Sequence, residues 1–261
     1  MVGVRYHAFL FQEAIQPPNA RHCAVILMKR KIYEFLIPKS IREQIYQANV
    51  RQFHEAEIER LRVIEESLPK ADLSGVFIAN LRILPDRNAF LNVMPKQSIV
   101  ADIGVGRENF NDFSSRILLV ARPKILHLID KWEEKSPDTE SNKIIEHKFR
   151  EEIATGQVSI ERGSPGTILE GFRDSYFDWI YIDTETSYSS IEKLLEICGR
   201  KVKAGGIIAG RNYVFGSLFT RERYGVVEAV NGYCKANRWE IIYLTNESHR
   251  NLSYAIKRMM Y

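Results

Sequence analysis

Cysteine is scarce: Cys23, Cys198 and Cys234 are the only three in 261 residues, and they lie far apart. An odd, scattered set makes neither a disulfide framework nor a zinc-ligand spacing, and it reads as buried thiols in a reducing compartment. Long apolar runs are missing as well. The longest, Cys23–Met28, falls far short of the ~20 residues a membrane helix needs. The opening residues 1–7 lack the basic, apolar, then small order of a signal peptide, so a cytoplasmic location is expected. Nor does one sign of charge dominate. Lys plus Arg number 37 and Asp plus Glu 33, a formal charge of +4, and residues 96–261 hold 24 basic and 23 acidic side chains. No nucleic acid and no membrane surface is therefore expected as a partner. Internal repeats and low-complexity tracts are absent too. What is present is 45% apolar and 27% charged residues, the make-up of an ordinary globular chain. Such a length suits one large domain, or one with an extension, and can bury roughly 70–75% of its unfolded surface without staples.

The rhythm of the chain changes near residue 95. Residues 1–95 read as a mainly helical N-terminal extension. Within it, Ile41, Ile45, Ala48, Phe53, Leu61 and Ile64 recur mostly at steps of three and four, which predicts an amphipathic helix from Ser40 to Leu68. Ser40 with Glu43 three residues on makes a capping-box start, and Pro69 ends the pattern. This helix could form a lid over a site, a face for a homo-oligomer, or plain packing on the sheet. Segment 23–37 fits strand or helix. Residues 96–261 alternate short β-rich runs with helical stretches. Strands are predicted at 98–102, 124–130, 157–161, 178–183, 206–210, 240–244 and 252–256. Helices are predicted at 109–121, 139–154, 188–202 and 222–237. This order predicts an α/β fold, a Rossmann-like, doubly wound, mostly parallel seven-stranded sheet. Ligands of such sheets lie beyond the carboxyl ends of the strands.

The loop after the first of these strands reads Asp102-Ile103-Gly104-Val105-Gly106-Arg107-Glu108-Asn109. Gly104 and Gly106 allow a tight turn and close approach of a ligand. Asp102 ends the first strand, and Asp130 ends the second, where a ribose diol would lie. A plain βα turn with two acids capping helix starts is the structural alternative. A dinucleotide site wants a third glycine where Asn109 stands, and it has no use for a carboxylate beside a pyrophosphate. A cofactor with a cationic ammonium at that end, such as S-adenosylmethionine (SAM), pairs with Asp102.

At these residues the chain resembles the class I SAM-dependent methyltransferases, and most of all the branch of small-molecule and sugar O-methyltransferases whose fourth strand reads F-D-x-x-Y-I-D-G-x-H-S-Y. The matching stretches are Ala101–Val105, Leu126–Trp132, Phe177–Asp183, Ser187-Tyr188, Val202–Gly210 and Gly225–Val230, over about 98–258. The resemblance implies an antiparallel last strand and roles for individual residues. Asp102, Gly104 and Gly106 would surround the methionine end of SAM. Asp130 would take the ribose hydroxyls, with Lys131 and Trp132 near the adenine and Gly163 and Ser164 bracketing it. Asp183 would face the transferred methyl. Ordinary packing for Trp132 and helix capping for Ser164, before Pro165, are the rival roles.

The chain departs from that pattern at three places. Glu108 stands at the family's third glycine. Thr184-Glu185-Thr186 replaces G-x-H and removes the histidine. Arg211-Asn212 replaces the acidic pair that, with the strand-four Asp, holds a divalent cation in metal-dependent members. A divalent metal is therefore not expected. Asp183 and Glu185 are left as candidate catalytic bases. Arg211 could bind an anionic group on the substrate or pair with Glu185, while Asn212, Tyr188 and Tyr213 complete a candidate substrate pocket. The expected function is methylation of a hydroxyl on a small molecule or sugar. The alternative is a catalytically degenerate methyltransferase fold that binds a ligand or partner.

Overall fold

The structure is a computed structural model that describes residues 37–105, 112–131, 139–217, 221–247 and 252–259. Segment 23–37 lies outside the described residues apart from Ile37, and so do Gly106, Glu108 and Trp132. The chain forms two compact units, residues 1–66 and 67–261. Of the first, the structure describes helix α1 (Lys39–Ser67), within one residue of the predicted span and with no buried residue. The backbone N–H of Arg42 already donates to Pro38 O, so the helix begins before Ser40, and Ser40 is not its cap. Arg60–Glu57 and Arg62–Glu59 pairs, three residues apart, decorate its surface.

The second unit is built on one eight-stranded sheet, ordered β1-β9-β10-β6-β5-β2-β3-β4. Its strands are β1 (Arg82–Leu84), β2 (Ile99–Ile103), β3 (Ile125–Asp130), β4 (Val158–Arg162), β5 (Phe177–Ile182), β6 (Val202–Gly210), β9 (Trp239–Thr245) and β10 (Tyr254–Arg258). A small hairpin, β7 (Gly216–Ser217) with β8 (Glu222–Arg223), stands apart. Within the eight-stranded sheet all pairings are parallel except those of β10, which runs antiparallel between β6 and β9. The seven predicted strands are all there, and β1 is an eighth. It pairs in parallel with β9, Leu84 opposite Thr245. Helix α2 (Arg87–Val93) follows, its start fixed by Asp86, whose Oδ1 accepts from Ala89 N at 2.8 Å. Residues 67–95 therefore build the edge of the sheet's own unit. A three-residue strand and a two-turn helix are too short to leave a readable period, so the sequence shows the change of rhythm later, at 95.

Both faces of the sheet are covered, which is why its central strands read as near-continuous apolar runs. On one face Ala101, Ile103, Ile180 and Ile208 pack with residues of α7 (Tyr188–Lys201) and α8 (Val226–Asn237). On the other, Val100, Leu128, Trp179 and Tyr181 pack with Phe90 and Leu91 of α2 and with Ile117. Helix α3 (Asp112–Arg116) continues as one π-turn, Ile117–Ala121. The predicted helix 139–154 divides into α4 (Thr139–Lys148) and α5 (Arg150–Ala154) around the buried Phe149. Cys198 and Cys234 are buried free thiols, as the sequence suggests. No helix among the described residues is long and apolar enough to cross a membrane.

The chain runs outward through β2, β3 and β4, returns to β5 beside β2, and then runs the other way. The reversal between β2 and β5 opens the crevice in which open α/β sheets bind ligands.

Candidate functional site

Backbone hydrogen bonds level the strand tips at this crevice. Gly104 N donates to Ile129 O (2.9 Å), Asp183 N to Ile103 O (2.8 Å) and Gly163 N to Asp130 O (2.9 Å). Gly104 has φ +93°, and a Cβ there would lie 1.9 Å from Asp183 O. Only glycine lets the β2 and β5 loops meet so closely. Gly163 also has positive φ, +149°, and turns the chain into α6 (Pro165–Gly171).

A cavity of about 480 Å³ opens at these tips and extends between α6 and α7. Of the sequence-predicted residues it brings together Gly104, Asp130, Lys131, Ser164 and Glu185. Ser164 occupies the N-cap position of α6, but its side chain makes no capping bond, so the capping role does not consume its hydroxyl. Asp130 accepts from Lys131 N at 2.6 Å. Lys131 Nζ lies 3.6 Å from Glu185, both half-exposed, and Ser190 Oγ donates to Glu185 at 3.0 Å.

The cavity also has walls that the sequence reading missed. Thr167 and Glu170 come from α6, Thr184 from the β5 loop, and Ser190, Lys193, Leu194 and Ile197 from α7. Those four α7 positions stand at i, i+3, i+4 and i+7, one helical face, and that spacing is the signal that could have found them.

A second set is buried on the α2 side of the sheet. Asp102 is 3% exposed and does not line the cavity. Ser114 Oγ donates to its Oδ2 at 2.5 Å and is its one hydrogen-bond donor among the described residues. Burial foremost pushes its pKa up to about 7; the charges of Asp183 and Asp130 add to the rise, while the Ser114 hydrogen bond and Arg87 oppose it. Arg87, on α2, is 5% exposed, lies 3.4 Å from Glu247 and sits over the Phe113 ring. Nothing in the sequence around Arg87 marks it.

The candidate substrate residues line other surfaces. Arg211 Nη1 is 3.5 Å from Asp183 Oδ2, an ion pair with the acid at the β5 tip. Tyr188 donates to Glu192 at 2.6 Å, and this bond is the main cause of a hydroxyl pKa raised to about 12. Tyr213 donates to Asn231 at 2.7 Å. Asn212 adopts φ +65°, turning the chain after β6. None of the four lines the cavity. Among the described residues no three His, Cys, Asp or Glu side chains gather as metal ligands.

Solved structures share this architecture. A proposed rRNA methylase from Clostridium thermocellum aligns over 66% of this chain and 95% of its own, with TM-score 0.50 and 10% identity. A SAM-dependent methyltransferase from Methanosarcina mazei aligns over 68% and 100%, with TM-score 0.50 and 14% identity. These likenesses show a fold shared with proteins described as methyltransferases. No protein-family model and no curated protein matches the sequence. Within the methyltransferase fold, Gly104 and Asp183 take the meeting point of the two central loops, and Asp130 the tip of the neighbouring strand.

Proposed function

We propose that the protein is a SAM-dependent methyltransferase that methylates a hydroxyl of a small molecule or sugar. The observation that carries this reading is the cavity at the β2–β5 reversal, with Gly104 at its floor and the carboxylate of Asp130 on its wall. Its ~480 Å³ falls in the range of small-molecule and cofactor sites. The donor set suits a cationic nucleoside. Asp130 would accept from ribose hydroxyls, and Ser164 and Lys131 would lie along the base. Bound SAM would supply a methyl group on a positively charged sulfur.

The protein's own contribution is placement and proton removal. Holding an acceptor hydroxyl aligned can supply ~7–11 kcal/mol at best, and a base adds roughly 10²–10⁴-fold. Glu185 is the candidate base that faces the cavity, and Ser190 orients it. Its pairing with Lys131 is exposed and therefore weak. Asp183, 16% exposed and paired with Arg211, would fix the acceptor's approach beside the β5 tip and act as the second candidate base. That same pair favours the alternative reading, a fold that binds without turnover, because it engages the Asp183 carboxylate within the protein.

Calorimetry with SAM, its demethylated product and NAD tests the proposal. Micromolar binding of the two sulfur compounds and none of NAD is expected. Failure of both sulfur compounds to bind overturns it. Binding with no methyl transfer to a panel of sugars and phenols favours the alternative.

A further inference from the structure

Beyond the strand tips the cavity continues as an arm between α6 and α7. Ser164, Thr167 and Glu170, three residues apart, make one wall, and Lys193, Leu194 and Ile197 of α7 make the other. Ser190, nearer the mouth, already donates to Glu185. Glu170 stands six residues past Ser164, about 9 Å along α6 by the helical rise. Two cations hold it from outside the cavity, since neither lines it. Arg200 Nη2 donates to Glu170 Oε1, and Lys201 Nζ lies 3.6 Å from Oε2. Lys201 is 4% exposed, and its ammonium meets Phe172 O at 2.8 Å, Asp174 Oδ1 at 2.9 Å and Glu170 O at 3.4 Å. It therefore also ties down the end of α6 that carries Glu170.

We infer that Glu170 is a specificity-determining residue: its carboxylate accepts from an amino group on the base of the bound nucleoside, and so selects an amino-bearing base over one with a carbonyl at the same place. The inference rests on the proposed SAM-binding reading, which sets the sugar at Asp130 and the base along Ser164. From there the base enters the α6–α7 arm, and Glu170 lies about a nucleoside's reach from the strand tips. A carboxylate only accepts hydrogen bonds, and its two oxygens offer about four lone-pair sites. Arg200 takes one, and Lys201 at 3.6 Å is beyond hydrogen-bond distance of the other oxygen, so acceptor capacity is left for the arm. An amino N–H satisfies it. A carbonyl oxygen sets acceptor against acceptor, and both then go unpaired. Because Arg200 and Lys201 already hold the side chain, little further ordering is lost when a ligand arrives. Lys193, on the opposite wall, is a donor and has the contrary preference. The anchoring assigns the selection to Glu170.

The test compares two probes by calorimetry: SAM's demethylated product, and the same compound with the amino group of its base replaced by a carbonyl. The wild-type protein should bind the amino form at least about tenfold more tightly. In Glu170→Gln the side chain gains an amide N–H that can turn to a carbonyl, so the ratio should fall to within about threefold. Glu170→Ala should bring it equally low. A purely structural role would weaken both compounds alike and leave the ratio in place, and that result overturns the inference. So does a wild-type protein that binds the two equally. A wild-type preference for the carbonyl form makes Lys193 the reader and overturns it as well. The wild-type ratio decides these last two cases even if a variant does not fold. In both, the SAM-binding reading stands, because the amino form still binds. A wild-type protein that binds neither SAM nor either probe overturns that reading, and the role of Glu170 with it.

Discussion

Gly104 stands where two strand tips touch, and its replacement is the sharpest test of the site's geometry. In Gly104→Ala the new methyl meets the Asp183 carbonyl and a backbone of positive φ, a strained combination costing about 1–3 kcal/mol before any clash. The melting temperature should fall by about 2–4 °C for each kcal/mol in a domain of this size, and SAM binding should be lost. An unchanged melting curve would place the turn elsewhere. Asp130→Ala should weaken SAM binding at least tenfold, about 1.4 kcal/mol, as read by calorimetry. Asp183→Asn should leave that binding within about threefold and depress turnover by roughly 10²-fold or more, which single-turnover methyl transfer would measure. Asp102, Gly104, Asp130 and Glu185 were marked in the sequence as candidates because strand-end acids and a glycine turn leave a fixed spacing, and the structure brings Gly104, Asp130 and Glu185 to one cavity. Arg87 and Glu247 were not, since the two lie 160 positions apart and meet only when β1 joins β9.

At the scale of elements, the predicted strands and helices lie within a few residues of the observed ones wherever a period of two or of 3.6 runs for more than a turn or so. The exceptions are instructive. Strand β1 and helix α2 carry too few residues to show a period, yet α2 buries Phe90 and Leu91 against the sheet. Phe90 is fully buried, its ring 6.1 Å from Tyr181. Phe90→Ala should therefore cost about 3–5 kcal/mol in urea denaturation. A loss under 1 kcal/mol would mean that α2 is only loosely attached.

Across the whole molecule, two buried groups set opposing slopes of stability against pH. Asp102 has a folded pKa raised to about 7 from the ordinary 3.8, chiefly by burial. Between those values the folded state holds a proton that the unfolded state has lost. Stability from this group is thus present at low pH and declines as pH rises towards 7. His127, between Glu161 (3.1 Å) and Tyr176 (3.2 Å), behaves the other way. Burial holds its pKa below the ordinary 6.5 despite the opposing Glu161. Its contribution is present above pH 6.5 and declines as pH falls through that value towards the lower folded pKa. Asp102→Asn keeps an acceptor for Ser114 and carries no charge. It should raise the unfolding free energy at pH 8 and leave pH 5 nearly unchanged, as urea melts at the two pH values would show. Equal effects at both would remove Asp102 as the source of the slope.

The amino-acid sequence by itself determined the α/β class, the alternation of strand and helix from residue 98 onward, and the acids and glycine at the strand ends, because each follows from local periods and from backbone freedom at one position. Tertiary structure decided the eighth strand, the joining of residues 67–95 to the sheet, the pairing of Arg211 with Asp183, and the α6–α7 cavity. Those depend on which distant segments lie side by side, and charge and burial at such meetings are set by neighbours in space that no local pattern of residues encodes.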